Sequence, residues 1–77
     1  MSRNLDALVV LEEVAVSLKE SAEQVDSVSA FDEGRLAGYY EALSTLLSQC
    51  RIAGIDPGEI GLAGFNPESL LRLRKAA

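Results

Sequence analysis

The sequence predicts an all-α protein built on one long antiparallel helical hairpin. Apolar side chains recur every three or four residues along two long stretches, and neither stretch contains a proline. A short segment suited to capping separates the two stretches, and a segment with both prolines of the chain follows them. We expect a short helical turn and a short C-terminal helix there. The length of 77 residues indicates a single domain, residues 1–77.

The first helix is expected to run from about Asn4 to Asp26. Asn4 has a side chain that can cap the first turn, and Asp6 would lie near the positive end of the helix dipole. A stripe at helical spacing predicts which side of this helix is buried. The residues of that stripe are Ala7, Leu11, Val14, Leu18, Ala22 and Val25.

The second helix is expected to begin after Ser29 and to end at Gly54. Ser29 and Asp32 have the spacing of a capping box, and Gly54 suits the left-handed position that follows a helix. The predicted buried stripe consists of Leu36, Tyr39, Tyr40, Leu43, Leu46, Leu47 and Cys50. On the other side lie Gly34, Gly38 and Ala42, which either allow another helix to approach closely or are simply exposed.

The remaining segment carries two helix-start signals. Asp56, Pro57 and Glu59 predict a helical turn that ends at Gly61. The same Asx-Pro signal recurs ten residues later and predicts a last helix over residues 67–75. The leucines of this helix that are available for burial are Leu70, Leu71 and Leu73.

The first helix is predicted to be apolar on a second side. Leu5, Val9 and Val16 project nearly opposite the predicted buried stripe. A hairpin buries one side of each helix, so further polypeptide has to lie over these three residues. We expect a homodimer in which two hairpins form a four-helix bundle, because the last helix is short. The alternative is that the leucines of the last helix cover the stripe within one chain.

Composition excludes several classes of function. A net charge of −5 disfavours nucleic acid and anionic membrane surfaces as partners, and no apolar run approaches the length of a membrane span. The chain has no histidine and one cysteine, so Cys-His and Ser-His catalytic pairs cannot form. We therefore expect no enzyme activity, no metal and no cofactor. The lone Cys50, expected in the core, and the lack of a signal sequence favour the cytoplasm.

The expected function is binding to another protein, as a small regulatory or adaptor protein of an inhibitor, immunity-like or chaperone-like kind. Residues 1–30 contain six acids and two bases, so a partner with a basic surface is expected. The predicted interface residues are Leu5, Val9, Glu12, Glu13, Val16 and Tyr40. Two alternatives remain: a purely structural dimer, and a helix-turn-helix DNA-binding regulator. The DNA-binding alternative would use Arg72, Arg74 and Lys75.

Overall fold

The computed structural model describes residues 2–26 and 29–71, and side chains from residue 5 onward within those ranges. Two long helices, α1 (Ser2–Glu23) and α2 (Ala30–Ala53), are followed by one short 3₁₀ helix, Pro57–Ile60. Residues 68–71 are again helical, and the described ranges contain no strand. The all-α class and its two long helices are thus confirmed. Within the same ranges, no helix has both the length and the apolar character needed to cross a membrane.

The two helices are antiparallel, because the start of α1 lies beside the end of α2. Ala7, Leu8 and Leu11 line one small hollow together with Ala53 and Ile55. The described chain is elongated, with principal dimensions of 45 × 18 × 16 Å. Residues 55–71, which we call the tail, return from that open end of the hairpin.

The ends of α1 differ from the prediction. Asn4 lies inside the helix, which extends to Ser2, so the predicted cap at Asn4 is wrong and Asp6 is beyond the first turn. A helix continues through any residue that tolerates helical dihedrals, and Ser2 to Asn4 contain no proline or glycine to stop it. At the other end, the Val25 amide donates to the Ala22 carbonyl at 3.2 Å. This bond spans three residues rather than the four of an α-helix. It lies just after the end of α1 at Glu23, which is three residues before the predicted end.

The buried side of α1 is rotated by about 40° from the predicted stripe, at 100° per residue. Ala15 and Ala22 are fully buried, whereas Ala7 and Val14 are exposed, contrary to the prediction. The side chains that pack partly against the core are Leu8, Leu11 and Leu18. The rotation arises because α1 contacts both α2 and the tail, so its most buried side lies between them.

The predicted boundaries of α2 are confirmed. Ser29 Oγ accepts from the Asp32 amide at 3.1 Å, and Gly54 has a left-handed φ of 78°. The Ile55 amide donates to the Cys50 carbonyl at 2.8 Å, which completes a Schellman motif. The fully buried residues of α2 recur every seven positions, and the other residues of its predicted stripe are half-buried. The fully buried ones are Leu36, Leu43 and Cys50.

Both predicted start signals of the tail are confirmed. Asp56 Oδ2 accepts from the Gly58 amide at 3.0 Å, while Glu59 Oε2 accepts from the Asp56 amide at 2.9 Å. Gly61 then ends the 3₁₀ helix with a φ of 76°. Asn66 Oδ1 likewise accepts from the Glu68 amide at 3.1 Å. The predicted residues that lie outside the described ranges are Arg72, Leu73, Arg74 and Lys75.

The tail supplies a third part of the core. Ile60, Leu62 and Leu70 are as buried as the central leucines of α2. Each contributes roughly 1.5 to 3 kcal/mol of transfer free energy when fully buried. Phe65 packs partly against them, and Lys19 Nζ of α1 lies 5.8 Å from the centre of its ring. The tail therefore stabilises the hairpin by packing along α1.

Candidate protein-binding surface

The second apolar stripe of α1 is divided by the tail. Leu5 and Val9 are exposed, with 68% and 57% of their surface accessible. Val16 is half-buried, because the loop after the 3₁₀ helix lies against it. A Cβ added at Gly61 would lie 2.7 Å from Val16 Cγ2. The three predicted interface residues are therefore not equivalent: the chain partly covers Val16 and leaves Leu5 and Val9 free.

Acidic side chains border the exposed pair. Asp6, Glu13 and Glu20 are exposed and recur every seven residues, so they form one row along α1. Glu12 is exposed on the other side, close to where Gly61 meets the helix. We call the surface formed by Leu5, Val9, Glu12 and Glu13 the acidic stripe.

The base next to the acidic stripe is engaged within the chain. Lys19 is the one base in residues 5–23, and its Nζ lies 3.2 Å from Glu23 Oε2. The same ammonium group approaches the ring of Phe65. It therefore offsets little of the negative charge around Leu5 and Val9.

Tyr40 does not belong to the acidic stripe. It is half-buried on α2, thirteen residues before Ala53, and Ala53 lies beside the start of α1. At 1.5 Å per residue, this separation is about 20 Å along the hairpin. Of the six predicted interface residues, the structure brings four together at the surface and sets Val16 and Tyr40 apart.

Two exposed valines were missed by the sequence prediction. Val10 and Val14 are 61% and 48% accessible, although Val14 was expected in the core and Val10 was not assigned to any surface. The sequence signal that could have identified this exposed side is a second run of residues at spacings of three and four. Each member of the run lies one residue before a core residue of α1. That run consists of Ala7, Val10, Val14, Ser17 and Ser21.

The outer side of α2 is also open. A Cβ built at Gly34 or at Gly38 would have no neighbour within 4 Å, so of the two alternatives for these glycines, exposure fits the described residues and close approach of another helix is not seen among them. Phe31 and Ile52 are exposed near the two ends of this helix. The two glycines thus lie on an open surface.

Two hollows lie where the tail leaves α2. One of about 320 Å³ lies between the start of α1 and the end of α2. The other, of about 520 Å³, has Arg51 and Asp56 as its charged residues. Cys50 is a free, buried thiol. Among the described residues, no three histidine, cysteine or carboxylate side chains converge as a metal site would require.

No family model matches this sequence, and the comparisons with curated proteins and with solved structures found no significant match.

Proposed function

We propose that this protein is a non-enzymatic binding module that recognises another protein through the acidic stripe of α1. The observation that carries the proposal is the exposure of Leu5 and Val9 between carboxylates. Covering large aliphatic side chains on a helix with another surface is favourable, because it removes their apolar area from water. The surrounding acids then restrict which surfaces can do so.

The partner that fits this stripe has aliphatic side chains bordered by lysine or arginine. Burying Leu5 and Val9 contributes roughly 1.5 to 3 kcal/mol for each side chain, before the cost of ordering the complex. Opposite charges across the rim increase the association rate and exclude acidic competitors. Because the carboxylates are exposed, their contribution decreases as ionic strength rises.

Such a module acts as a small regulatory or adaptor protein, of the inhibitor, immunity-like or chaperone-like kind. We place it in the cytoplasm, where a lone thiol such as Cys50 stays reduced. We also assign it a homodimeric four-helix bundle. Support for the dimer comes from Val10 and Val14, which are exposed on a side of α1 that the tail does not reach.

Charge reversal within the acidic stripe tests the proposed function. The double variant Glu12→Lys/Glu13→Lys is expected to reduce retention of the partner from native cell lysate by at least about tenfold, as rim charges do when reversed. The matched control is Glu33→Lys/Glu41→Lys, which makes the same net-charge change at exposed positions of α2. Quantitative mass spectrometry of the retained proteins measures both.

The control variant is expected to retain the same proteins as the wild type, and added salt should release them. Equal losses in the two variants would mean that net charge alone governs capture. Equal retention in both would mean that binding does not use the acidic stripe. Either result would contradict the proposed function.

A further inference from the structure

The tail lies over one face of the hairpin, and nothing within residues 2–26 and 29–71 covers the opposite face. On α1 the tail meets Val16 through Gly61 and Lys19 through Phe65. On α2, Leu47 lines a hollow together with the first residues of the tail. At 100° per residue, Val10 and Val14 project about 120° to 160° from Val16. They therefore lie on the face away from the tail.

The same face of α2 is identified in the same way. Ala42 and Leu46 project about 140° and 100° from Leu47, which borders the tail. The residues on this side of α2 recur at alternating spacings of four and three. On α1, the corresponding residues are the run Ala7, Val10, Val14, Ser17 and Ser21. The α2 residues are Arg35, Tyr39, Ala42, Leu46, Gln49 and Ala53. We call the two runs together the open face.

We propose that the open face is the surface on which a second copy of this chain docks. The proposal specifies the homodimer proposed above and is independent of the basic partner of the acidic stripe. The open face carries one charged group, Arg35, whose Nη1 lies 3.8 Å from Asp32 Oδ1. A chain with a net charge of −5 repels its own copies, so it associates best where acids are absent.

Charge also determines how the two copies lie on each other. The row of Asp6, Glu13 and Glu20 borders the open face on α1. Placing α1 on α1 of the second copy would bring two such rows together, which is unfavourable because like charges would meet across the contact. Placing α1 on α2 of the second copy brings the row toward the side that carries Arg35. The structure thus favours a bundle in which the two hairpin turns lie at the same end.

The open face is large enough for a stable dimer. The 24 residues of α2 extend about 36 Å at 1.5 Å per residue. With a width of 18 Å, the face offers about 650 Å² per copy and about 1,300 Å² in total, within the range of specific interfaces. Val10 and Val14 would lie near its centre, where anchor residues concentrate.

Analytical ultracentrifugation of matched variants tests this proposal. The wild type is expected to sediment at twice the mass of one 8.2 kDa chain at micromolar concentration. Val10→Glu/Val14→Glu should raise the dimer dissociation constant by at least about 100-fold, because unpaired carboxylates would enter an apolar contact. Ala42→Glu, an independent change on α2, should also weaken the dimer. Circular dichroism verifies that each variant remains helical.

The matched control is Leu5→Glu/Val9→Glu, which adds the same charge at slightly more exposed positions of the same helix. It is expected to remain dimeric. A wild type that stays monomeric at high concentration would overturn the proposal. So would a dimer that survives glutamate at positions 10 and 14 but dissociates in the control. Neither outcome bears on partner retention by the acidic stripe, which the lysine variants test.

Discussion

Val16 is the residue of the second apolar stripe of α1 that the tail partly covers. Its Cγ2 lies close to the backbone of Gly61, which has a left-handed φ of 76°. Glycine meets two requirements there, since it tolerates this φ and leaves room for the valine methyl group. Gly64 shares the first requirement with a φ of 72°, but a Cβ added there would meet no atom within 4 Å.

This difference predicts unequal effects of two identical substitutions. Gly64→Ala should cost roughly 1 to 2 kcal/mol from left-handed strain alone. Gly61→Ala should carry the same strain and lose roughly 1 to 3 kcal/mol more, because its methyl group would collide with Val16. Urea denaturation of both variants at one protein concentration gives the two free energies of unfolding. Equal losses would show that the loop does not pack on α1 as described.

Among the elements, the 3₁₀ helix positions the tail. Asp56 and Glu59 form a reciprocal capping box around it, so the turn has a fixed geometry despite its four residues. Ile60 and Leu62, directly after this box, are fully buried. The local hydrogen bonds thus direct two large apolar side chains into the core.

Removing the cap should loosen this docking. Asp56→Ala is expected to lower the free energy of unfolding by about 0.5 to 2 kcal/mol, because the Gly58 amide loses its acceptor. Asp56→Asn keeps an acceptor oxygen and should change stability by only a few tenths of a kcal/mol. Thermal unfolding followed by circular dichroism measures both. Stability losses of equal size in the two variants would argue against a capping role.

At the scale of the whole molecule, local signals predicted the elements well. The capping residue Ser29, the terminating Gly54 and the Asp56 turn all lie where the sequence indicates. These signals act within four or five residues, so no knowledge of distant contacts is needed. The heptad spacing of Leu36, Leu43 and Cys50 was likewise sufficient to identify the buried side of α2.

The surface was harder to predict, because it depends on where the tail packs. Val16 was assigned to the free stripe and Val14 to the core, yet the structure half-buries Val16 and exposes Val14. Both differences follow from the tail, which shifts the buried side of α1. Leu62 and Phe65 were not assigned to the core, since they belong to a loop without helical periodicity. Tertiary packing of a loop leaves no local pattern.

The central claim is that α1 presents three surfaces: a side for a second copy, and a second apolar stripe that the tail partly covers at Val16 and leaves open to a basic partner at Leu5 and Val9. Its valines report on each surface: Val14 lies on the side for a second copy, Val16 on the covered part of the stripe, and Val9 on the open part seven residues earlier. Line broadening of valine methyl NMR signals by a soluble paramagnetic agent, measured across a dilution series without partner, tests this directly.

The account predicts weak broadening of the Val16 signals at every concentration and strong broadening of the Val9 signals throughout. The signals of Val10 and Val14 should be protected at high concentration and become strongly broadened on dilution, as the dimer dissociates. Broadening of Val16 as strong as that of Val9, or no concentration dependence at Val10 and Val14, would contradict the account.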